Sequence, residues 1–375
     1  MIARLSGFHS RTAALNPCNE WVNANGVSVP ARFMDAREEA VAARMSVVLS
    51  DISWRSQYLF EGAGAAACMS RLFTRETALL EPGRAVKALW LNDAGAVRGA
   101  GVVARLGPNT FKLITAADDS DWLLAAAGLF GVAVADCPEA ACGLALVGPE
   151  SARMLKAEGL DFDLAPLTFV RKEWRGIAIT QSRFGEYGGY EIWCRREDAH
   201  EVWDRLVESG KRFSLCPAGA QAMQTLDLET GVARPFRDYI PARSTSSPEP
   251  APAALGVEAL VDSAHRSFNG YRAWAETRLR PQRRIIAGLR IEDPWPAPFA
   301  ALERDGEPAG TTLSSCYSPS LQTAIALAEI DVRSARSGTI LTLQPPLSLE
   351  HRTSRRATAE VVDLPFLPPP DPIPA

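Results

Sequence analysis

A glycine-rich segment that leads into a glutamate among aromatic residues has the residue types best suited to ligand chemistry. Residues 185–193 read Gly-Glu-Tyr-Gly-Gly-Tyr-Glu-Ile-Trp, between a strand-like run at 176–180 and a helix-like run at 198–210. Glycines let the backbone turn tightly and approach a ligand closely. The last four residues of the segment have the composition of a strand. The segment therefore predicts a tight turn followed by a strand that presents a carboxylate.

Glu191 is the candidate ligand-binding side chain of this strand. Because side chains alternate along a strand, Glu191 and Trp193 are expected on one face and Tyr190 and Ile192 on the other. Burying a carboxylate among aromatic rings is costly unless hydrogen-bond donors satisfy it. A flat pair of donors suits it best, either an arginine guanidinium or the amino-pyrimidine edge of a pterin. The alternative interpretation is a glutamate on an edge strand, in contact with water.

Size and composition exclude several classes of protein. The chain has 375 residues, enough for two to three domains at about 150 residues each. A net charge of −4 argues against nucleic acid as a partner. Apolar runs stay shorter than the ~20 residues of a membrane span, and the first residues lack the apolar core of a signal peptide. Seven cysteines without a framework spacing suit reduced thiols, so we expect a cytoplasmic protein that binds a small molecule.

A metal site is not predicted. Cys137 and Cys142 could be two ligands, but the sequence has no second cysteine pair and only four histidines. Structural zinc sites need four ligands of these types at recognisable spacings. We therefore expect no metal.

The periodicity of the sequence predicts helices alternating with short strands. Asp35 is a candidate N-cap for a helix that reaches about Met45, with Glu38 closing a capping box. Runs at 85–91, 97–106 and 111–115 predict an antiparallel meander. Because the middle run is a strand, the Gly-x-Gly-x-x-Ala match that it contains is not a dinucleotide-binding motif, which requires a helix to follow. From residue 284 the chain is rich in strands, and Asp-Gly at 305–306 predicts a hairpin.

Several motifs in order resemble the glycine-cleavage T-protein superfamily. They are Asp-Ile-Ser at 51–53, a strand followed by Gly-Pro and a helix at 144–151, Gly-Gly-Tyr-Glu-Ile-Trp at 188–193, and the run Gly-Glu-Pro-Ala-Gly-Thr-Thr-Leu-Ser-Ser-Cys-Tyr at 306–317. The second of these also resembles the unit at 60–73 and hints at an internal half-repeat. The resemblance covers roughly residues 30–362. Within the superfamily, the chain looks most like the tetrahydrofolate-dependent demethylases that act on dimethylsulfoniopropionate or on methoxy-aromatics.

The resemblance implies an α+β fold. In this fold a multi-domain disc of antiparallel sheets with packed helices surrounds a central cavity, and a C-terminal β-barrel completes the protein. Residues 1–254 are expected to bind folate and substrate through two interleaved α+β subdomains. Residues 255–283 would connect this region to a barrel domain at 284–375, which ends in a proline-rich tail.

The resemblance also implies roles for individual residues. Glu191 would grip the pterin ring of tetrahydrofolate, with Trp193 and Tyr190 packed beside the flat ligand. Glu229, in Leu-Glu-Thr-Gly, corresponds to a glutamate of the family and would contact the cofactor, unless it is a structural cap. Tyr239 and Tyr58 are the candidate proton donors for a departing oxygen.

Two departures from the family pattern bear on the reaction. Ala100 stands where the family has its catalytic aspartate, which argues against aminomethyl transfer. Asp227 stands where the T-protein pattern has an arginine, and an acid there is expected to repel a carboxylate-bearing substrate or the folate tail. Aryl demethylases also lack this arginine, so the change favours an aromatic substrate.

Three functions remain open from the sequence. The first is tetrahydrofolate-dependent transfer of a one-carbon (methyl) group from a small methoxylated aromatic substrate. The second is a folate-independent lyase on the same scaffold that releases formaldehyde from a hydroxymethyl-bearing aromatic. The third is a non-catalytic folate-binding protein. The identity of the substrate, the acid or base, and the oligomeric state are not determined by the sequence.

Overall fold

The computed structural model describes residues 3–137, 141–161, 163–185, 187, 189–243, 250–292, 298–344 and 356–370. These residues form helices and strands in an alternating order. The helices are α1 (His9–Ala14), α2 (Ala36–Met45), α3 (Ala65–Leu72), α4 (Ser120–Gly128), α5 (Ser151–Ala157), α6 (Ala199–Gly210), α7 (Ala220–Glu229) and α8 (Tyr271–Thr277). The first ten strands are β1 (Arg4–Leu5), β2 (Trp21–Ala24), β3 (Val27–Pro30), β4 (Val47–Asp51), β5 (Ser56–Glu61), β6 (Ala85–Leu91), β7 (Val97–Gly107), β8 (Thr110–Thr115), β9 (Ala133–Asp136) and β10 (Cys142–Val147). The others are β11 (Phe169–Trp174), β12 (Ile177–Ser182), β13 (Tyr190–Cys194), β14 (Leu215–Pro217), β15 (Arg284–Ile291), β16 (Ala301–Arg304), β17 (Glu307–Ser318), β18 (Thr323–Asp331), β19 (Ile340–Leu343) and β20 (Ala357–Val362).

Three open sheets and one closed barrel organise these strands. A small sheet has the order β1-β3-β2, a five-stranded sheet the order β6-β7-β8-β5-β9, and a six-stranded sheet the order β11-β12-β13-β10-β4-β14. The barrel closes in the order β15-β18-β17-β16-β19-β20. The predicted α+β class with a C-terminal barrel is confirmed.

The two larger sheets repeat one topology. In the first, β5 leads into α3, and the meander β6-β7-β8 returns so that β8 pairs with β5. In the second, β10 leads into α5, and the meander β11-β12-β13 returns so that β13 pairs with β10. The half-repeat suggested by the sequence therefore has a counterpart in the order of strands and helices.

A buried glutamate at the start of α2 connects two parts of the chain. Asp35 is the N-cap, and its carboxylate accepts a hydrogen bond from the Arg37 amide at 2.7 Å. The predicted capping box is wrong, because the hydrogen bond from the Asp35 amide to Glu38 that would close it is not formed among the described residues. The next residue, Glu39, is fully buried and accepts hydrogen bonds from the Phe33 amide at 2.6 Å and from the Gly219 amide at 2.8 Å. This carboxylate joins the entrance of α2 to the entrance of α7.

The barrel is filled largely by small side chains and contacts α7. Alanines of β15, β17, β18 and β20 face its interior together with leucine, isoleucine and valine. The predicted hairpin between β16 and β17 is confirmed, since both Asp305 and Gly306 have positive φ, at 55° and 86°.

Among the described helices, none has the length and hydropathy required to cross a bilayer.

Candidate functional site

Two neighbouring cavities lie where the large sheets meet the segment that follows α7. The Glu191 cavity has a volume of about 100 Å³, and its wall includes residues of β6, β7, β8 and β13 together with the loop at 233–239. The Asp227 cavity has a volume of about 240 Å³, and its wall includes residues of β2, β3, β4 and α7. Arg55, Ala116, Arg234 and Pro235 line both cavities and so form their common wall.

Glu191 faces inward from the middle of the six-stranded sheet. Its strand β13 lies between β12 and β10, and the residue is 1% exposed. The carboxylate accepts hydrogen bonds from Arg55 Nη1 at 2.6 Å and from Trp193 Nε1 at 3.1 Å. The solvated edge-strand interpretation is therefore wrong. The donor found in the structure is an arginine, one of the two flat partners expected for this carboxylate.

Arg55 lies next to this carboxylate and lines both cavities. It lies in the turn between β4 and β5, and its side chain is 13% exposed. Its guanidinium carbon is 5.8 Å from the centre of the Trp54 ring. An ion pair this buried is stable only when each charge keeps its partner. Nothing in the residues around Arg55 predicts this role, because the two partners are 136 positions apart in the chain.

The two aromatic residues beside Glu191 have roles other than packing on a ligand. Trp193 is 1% exposed, packs over Gly143 and donates to the Glu191 carboxylate, so it orients that side chain. Tyr190 lies on the opposite face of the strand, in the hydrophobic core, with the Arg183 guanidinium 5.3 Å from its ring centre. Neither cavity wall includes Trp193 or Tyr190, which corrects the predicted position of both beside the ligand. Glu186 and Gly188 of the same segment lie outside the described residues.

Of the two predicted proton donors, Tyr239 is the one in the wall of the Glu191 cavity. It shares that wall with Ala100, the position matched by sequence to the family's aspartate. A compact loop holds it there: the Tyr239 carbonyl accepts from the Phe236 amide at 2.7 Å, and the Asp238 carboxylate accepts from the Arg234 amide at 2.8 Å.

Tyr58 is located elsewhere. It lines a third, polar cleft, which also includes Arg55, and its hydroxyl donates to the Asp118 carboxylate there. Burial and the neighbouring Asp118 carboxylate raise the pKa of the Tyr58 hydroxyl. The structure therefore brings Tyr239 together with Glu191 and leaves Tyr58 apart from them.

Asp227 lies in α7, and its charge is balanced by two arginines. Arg234 donates to the carboxylate from Nε at 3.0 Å and from Nη2 at 2.5 Å, and Arg237 donates from Nη1 at 3.2 Å. The Tyr187 hydroxyl donates to the same carboxylate. Burial alone would raise the pKa of Asp227, but the two guanidinium charges and this hydroxyl together hold the pKa below its usual value. The expected repulsion of a carboxylate ligand is therefore wrong, because Asp227 is not an unpaired charge.

Glu229 joins three parts of the fold and is not in either cavity wall. It is fully buried at the end of α7. Its carboxylate accepts from Arg44 Nε of α2 at 2.6 Å and from the Ser318 hydroxyl of the barrel at 2.6 Å. The structural alternative for this residue agrees with these contacts, and the predicted contact with the cofactor does not.

We expect Glu229→Gln to lower the free energy of unfolding by about 1–3 kcal/mol, because one buried charge-assisted hydrogen bond is weakened. Urea unfolding of wild type and variant measures this difference. The matched control is Glu208→Gln, whose carboxylate is 73% exposed and pairs with Lys211, so that about 0–1 kcal/mol is expected. Equal losses in both variants would contradict a bridging role for Glu229.

Two family models match the chain and cover most of it. The GCVT N-terminal domain matches residues 8–249. The glycine cleavage T-protein C-terminal barrel domain matches residues 284–367, which include all six barrel strands.

Similar proteins cover nearly the same length. An aminomethyltransferase of Geobacillus kaustophilus is 28% identical over 355 residues, which is 92% of this chain and 94% of the relative. An aminomethyltransferase of Frankia alni is 30% identical over 313 residues, which is 80% of this chain and 83% of the relative. The crystal structure of aminomethyltransferase T of the glycine cleavage system from Bartonella henselae has the same fold, with a TM-score of 0.85, 20% identity and 98% of both chains covered. The chain belongs to the glycine cleavage T-protein family.

Proposed function

We propose that this protein transfers a one-carbon group from a small substrate to tetrahydrofolate. Membership of the T-protein family supports this reaction class, since its named relatives are aminomethyltransferases. The observation that carries the proposal for this chain is Glu191, a buried carboxylate in a cavity wall. A buried carboxylate of this kind is a specific acceptor for a donor edge such as that of a pterin.

The residues around Glu191 fit the pterin part of the cofactor. An ionised carboxylate has about four acceptor positions, so the bonds from Arg55, Trp193 and, at 3.5 Å, the Ser182 hydroxyl leave room for one further donor. Arg55 adds guanidinium N–H groups that suit a ring carbonyl. Each cavity is below the ~300 Å³ usual for a ligand site, so binding requires the common wall of the two cavities to open while Arg55 stays beside Glu191. When bound, tetrahydrofolate supplies the N5 that receives the carbon.

We further propose that the carbon comes from the methoxy group of a small aromatic substrate. Ala100 leaves this part of the wall without a carboxylate to balance a cationic aminomethyl donor. Val102, Ile114 and Phe184 make the wall apolar, which suits a neutral aromatic ring. As the carbon passes to N5, the ether C–O bond breaks, and Tyr239 is suited to give the departing oxygen a proton. The proton that N5 loses would restore the Tyr239 hydroxyl. Glu191 and Arg55 would hold the pterin ring in line with that bond.

The transfer assay uses the purified protein, tetrahydrofolate and a panel of methoxybenzenes. We expect methyltetrahydrofolate and the corresponding phenol to form in equal amounts. Tyr239→Phe is expected to lower kcat about 10²- to 10⁴-fold with KM nearly unchanged, as for the loss of a general acid. The control is Tyr271→Phe, since Tyr271 packs in the same hydrophobic cluster but is not in the cavity wall. If no methylated folate forms with any methoxybenzene, the proposal is wrong.

The Arg55–Glu191 ion pair favours one alternative, a folate-independent lyase. A protein guanidinium already binds the carboxylate that a pterin would require. Such an enzyme would release formaldehyde from a hydroxymethyl-bearing aromatic: the C–C bond breaks, the hydroxyl loses its proton and the ring carbon gains one. Turnover that persists after all folate is removed would support this alternative, and strict dependence on folate would exclude it. Tight folate binding without any turnover would instead indicate a non-catalytic binding protein.

A further inference from the structure

The wall of the Glu191 cavity carries one positive charge without a counter-charge in the described part of the chain. Three cationic side chains line this cavity: Arg55, Arg234 and Lys87. Arg55 pairs with Glu191 at 2.6 Å, and Arg234 pairs with Asp227 at 2.5 Å. Lys87 makes neither an ion pair nor a hydrogen bond with the residues that the structure describes. A cation beside a cavity and without a partner favours an anionic ligand group.

The strand register places Lys87 at the corner of the cavity that contains Ala100. In the pairing of β6 with β7, Lys87 lies opposite Val102 and Leu89 lies opposite Ala100. Lys87 and Ala100 are therefore diagonal neighbours on one face of the sheet, at about 7–8 Å. A lysine has a flexible four-carbon stem and three donors, so its ammonium can reach the space above the alanine methyl group.

The surroundings strengthen the attraction between this ammonium and an anion. Val102, Ile114, Phe184 and Leu260 contribute apolar surface to the same wall. Where apolar groups displace water, an ion pair is stronger than it is at an exposed surface. The same groups provide a flat apolar surface beside the charge, which suits a ligand with an aromatic body and one anionic end.

We propose that Lys87 binds a carboxylate of the ligand and so makes the site select an anionic ligand over a neutral one. The proposal rests on the function proposed above and adds to it. At this corner the chain has Ala100, which carries no charge, with Lys87 diagonal to it. The corner is therefore basic, and it selects an anionic ligand group. The carboxylate has two sources, either the aromatic substrate itself or the glutamyl tail of folate.

The test compares wild type, Lys87→Met and Lys87→Arg by isothermal titration calorimetry. The first pair of probes is 4-methoxybenzoate and its neutral counterpart 4-methoxybenzamide. The second pair is tetrahydrofolate and a tetrahydropterin that lacks the aminobenzoyl-glutamate tail. We expect Lys87→Met to lower the affinity for one anionic probe about 10- to 100-fold and to leave the affinity for its neutral counterpart unchanged. Lys87→Arg should recover most of the loss because it keeps the charge. The control variant is Lys172→Met, since Lys172 pairs with Asp161 outside the cavity wall.

The pattern of losses identifies the source of the carboxylate. A loss for methoxybenzoate alone supports Lys87 as a substrate-binding residue, and a loss for tetrahydrofolate alone supports it as a binder of the folate tail. Unchanged affinity for both anions, equal losses in Lys87→Met and Lys87→Arg, or no binding of either anion by wild type would overturn the proposal. Failure of the proposed function is a separate result, because it is measured by the formation of methyltetrahydrofolate and not by the ratio of benzoate to benzamide affinity.

Discussion

Glu191→Gln is expected to weaken the binding of tetrahydrofolate about 10- to 100-fold, or about 1–3 kcal/mol. The amide keeps the size of the side chain and one acceptor oxygen, but it replaces the other oxygen with a donor. That donor faces Arg55 and Trp193, which are themselves donors, and it would face the donor edge of the pterin as well. Isothermal titration calorimetry with wild type and variant measures the difference directly.

Two comparisons separate a direct contact from a general loss of structure. The Glu197 side chain is 70% exposed and has a single long ion pair, at 3.8 Å, with Arg195. The Glu197→Gln variant should therefore bind folate with wild-type affinity. The unfolding transition of Glu191→Gln shows whether the fold is intact at the temperature of the titration. Wild-type affinity in a folded Glu191→Gln protein would remove Glu191 from the folate site.

Asp227→Asn is expected to lower the free energy of unfolding by about 3–5 kcal/mol, the largest stability effect among our predictions. The substitution leaves Arg234 largely buried without the charge that balances it, whereas Arg237 keeps its ion pair with Asp238 at 2.9 Å. Urea unfolding followed by tryptophan fluorescence measures the loss. Asp204→Asn is the matched control, because Asp204 is 51% exposed in its pair with Arg11 and should contribute about 0–1 kcal/mol.

The stability difference between wild type and Asp227→Asn is expected to depend on pH. Because the pKa of Asp227 is lowered in the folded protein, its contribution to stability is fully present above the ordinary aspartate pKa of about 4. The contribution is lost as the pH falls through the lowered folded value. The stability difference between wild type and Asp227→Asn should therefore be constant near neutral pH and decrease below about pH 4. A difference that grows as the pH falls would contradict the ion-pair explanation.

Local patterns in the sequence predicted those features that depend on near neighbours. Alternation along β13 placed Glu191 and Trp193 on one face and Tyr190 on the other, and the structure confirms this separation. The Asp-Gly pair at 305–306 predicted the barrel hairpin, because both positions need positive φ. The predicted capping box is wrong, because Glu39, and not Glu38, has buried hydrogen-bond partners, and these are the Phe33 and Gly219 amides and not the N-cap amide. Glu38 and Glu39 are equally acidic, and the contact of Glu39 with the α7 entrance exists only in the tertiary structure.

The sequence by itself determined the family, the order of the helices and strands, and the face of its strand on which Glu191 lies, because periodicity and turn chemistry act over a few residues. Only the tertiary structure decided which charges neutralise one another. Arg55 and Glu191, 136 positions apart, form one ion pair, and Arg234 and Arg237 balance Asp227, which the sequence alone presents as a lone acid. The physical reason is that electrostatic energy depends on distance and burial in space. Those quantities exist only after the sheets, α7 and the loop that follows it have packed together, and they leave Lys87 in the cavity wall without a counter-charge from the residues described.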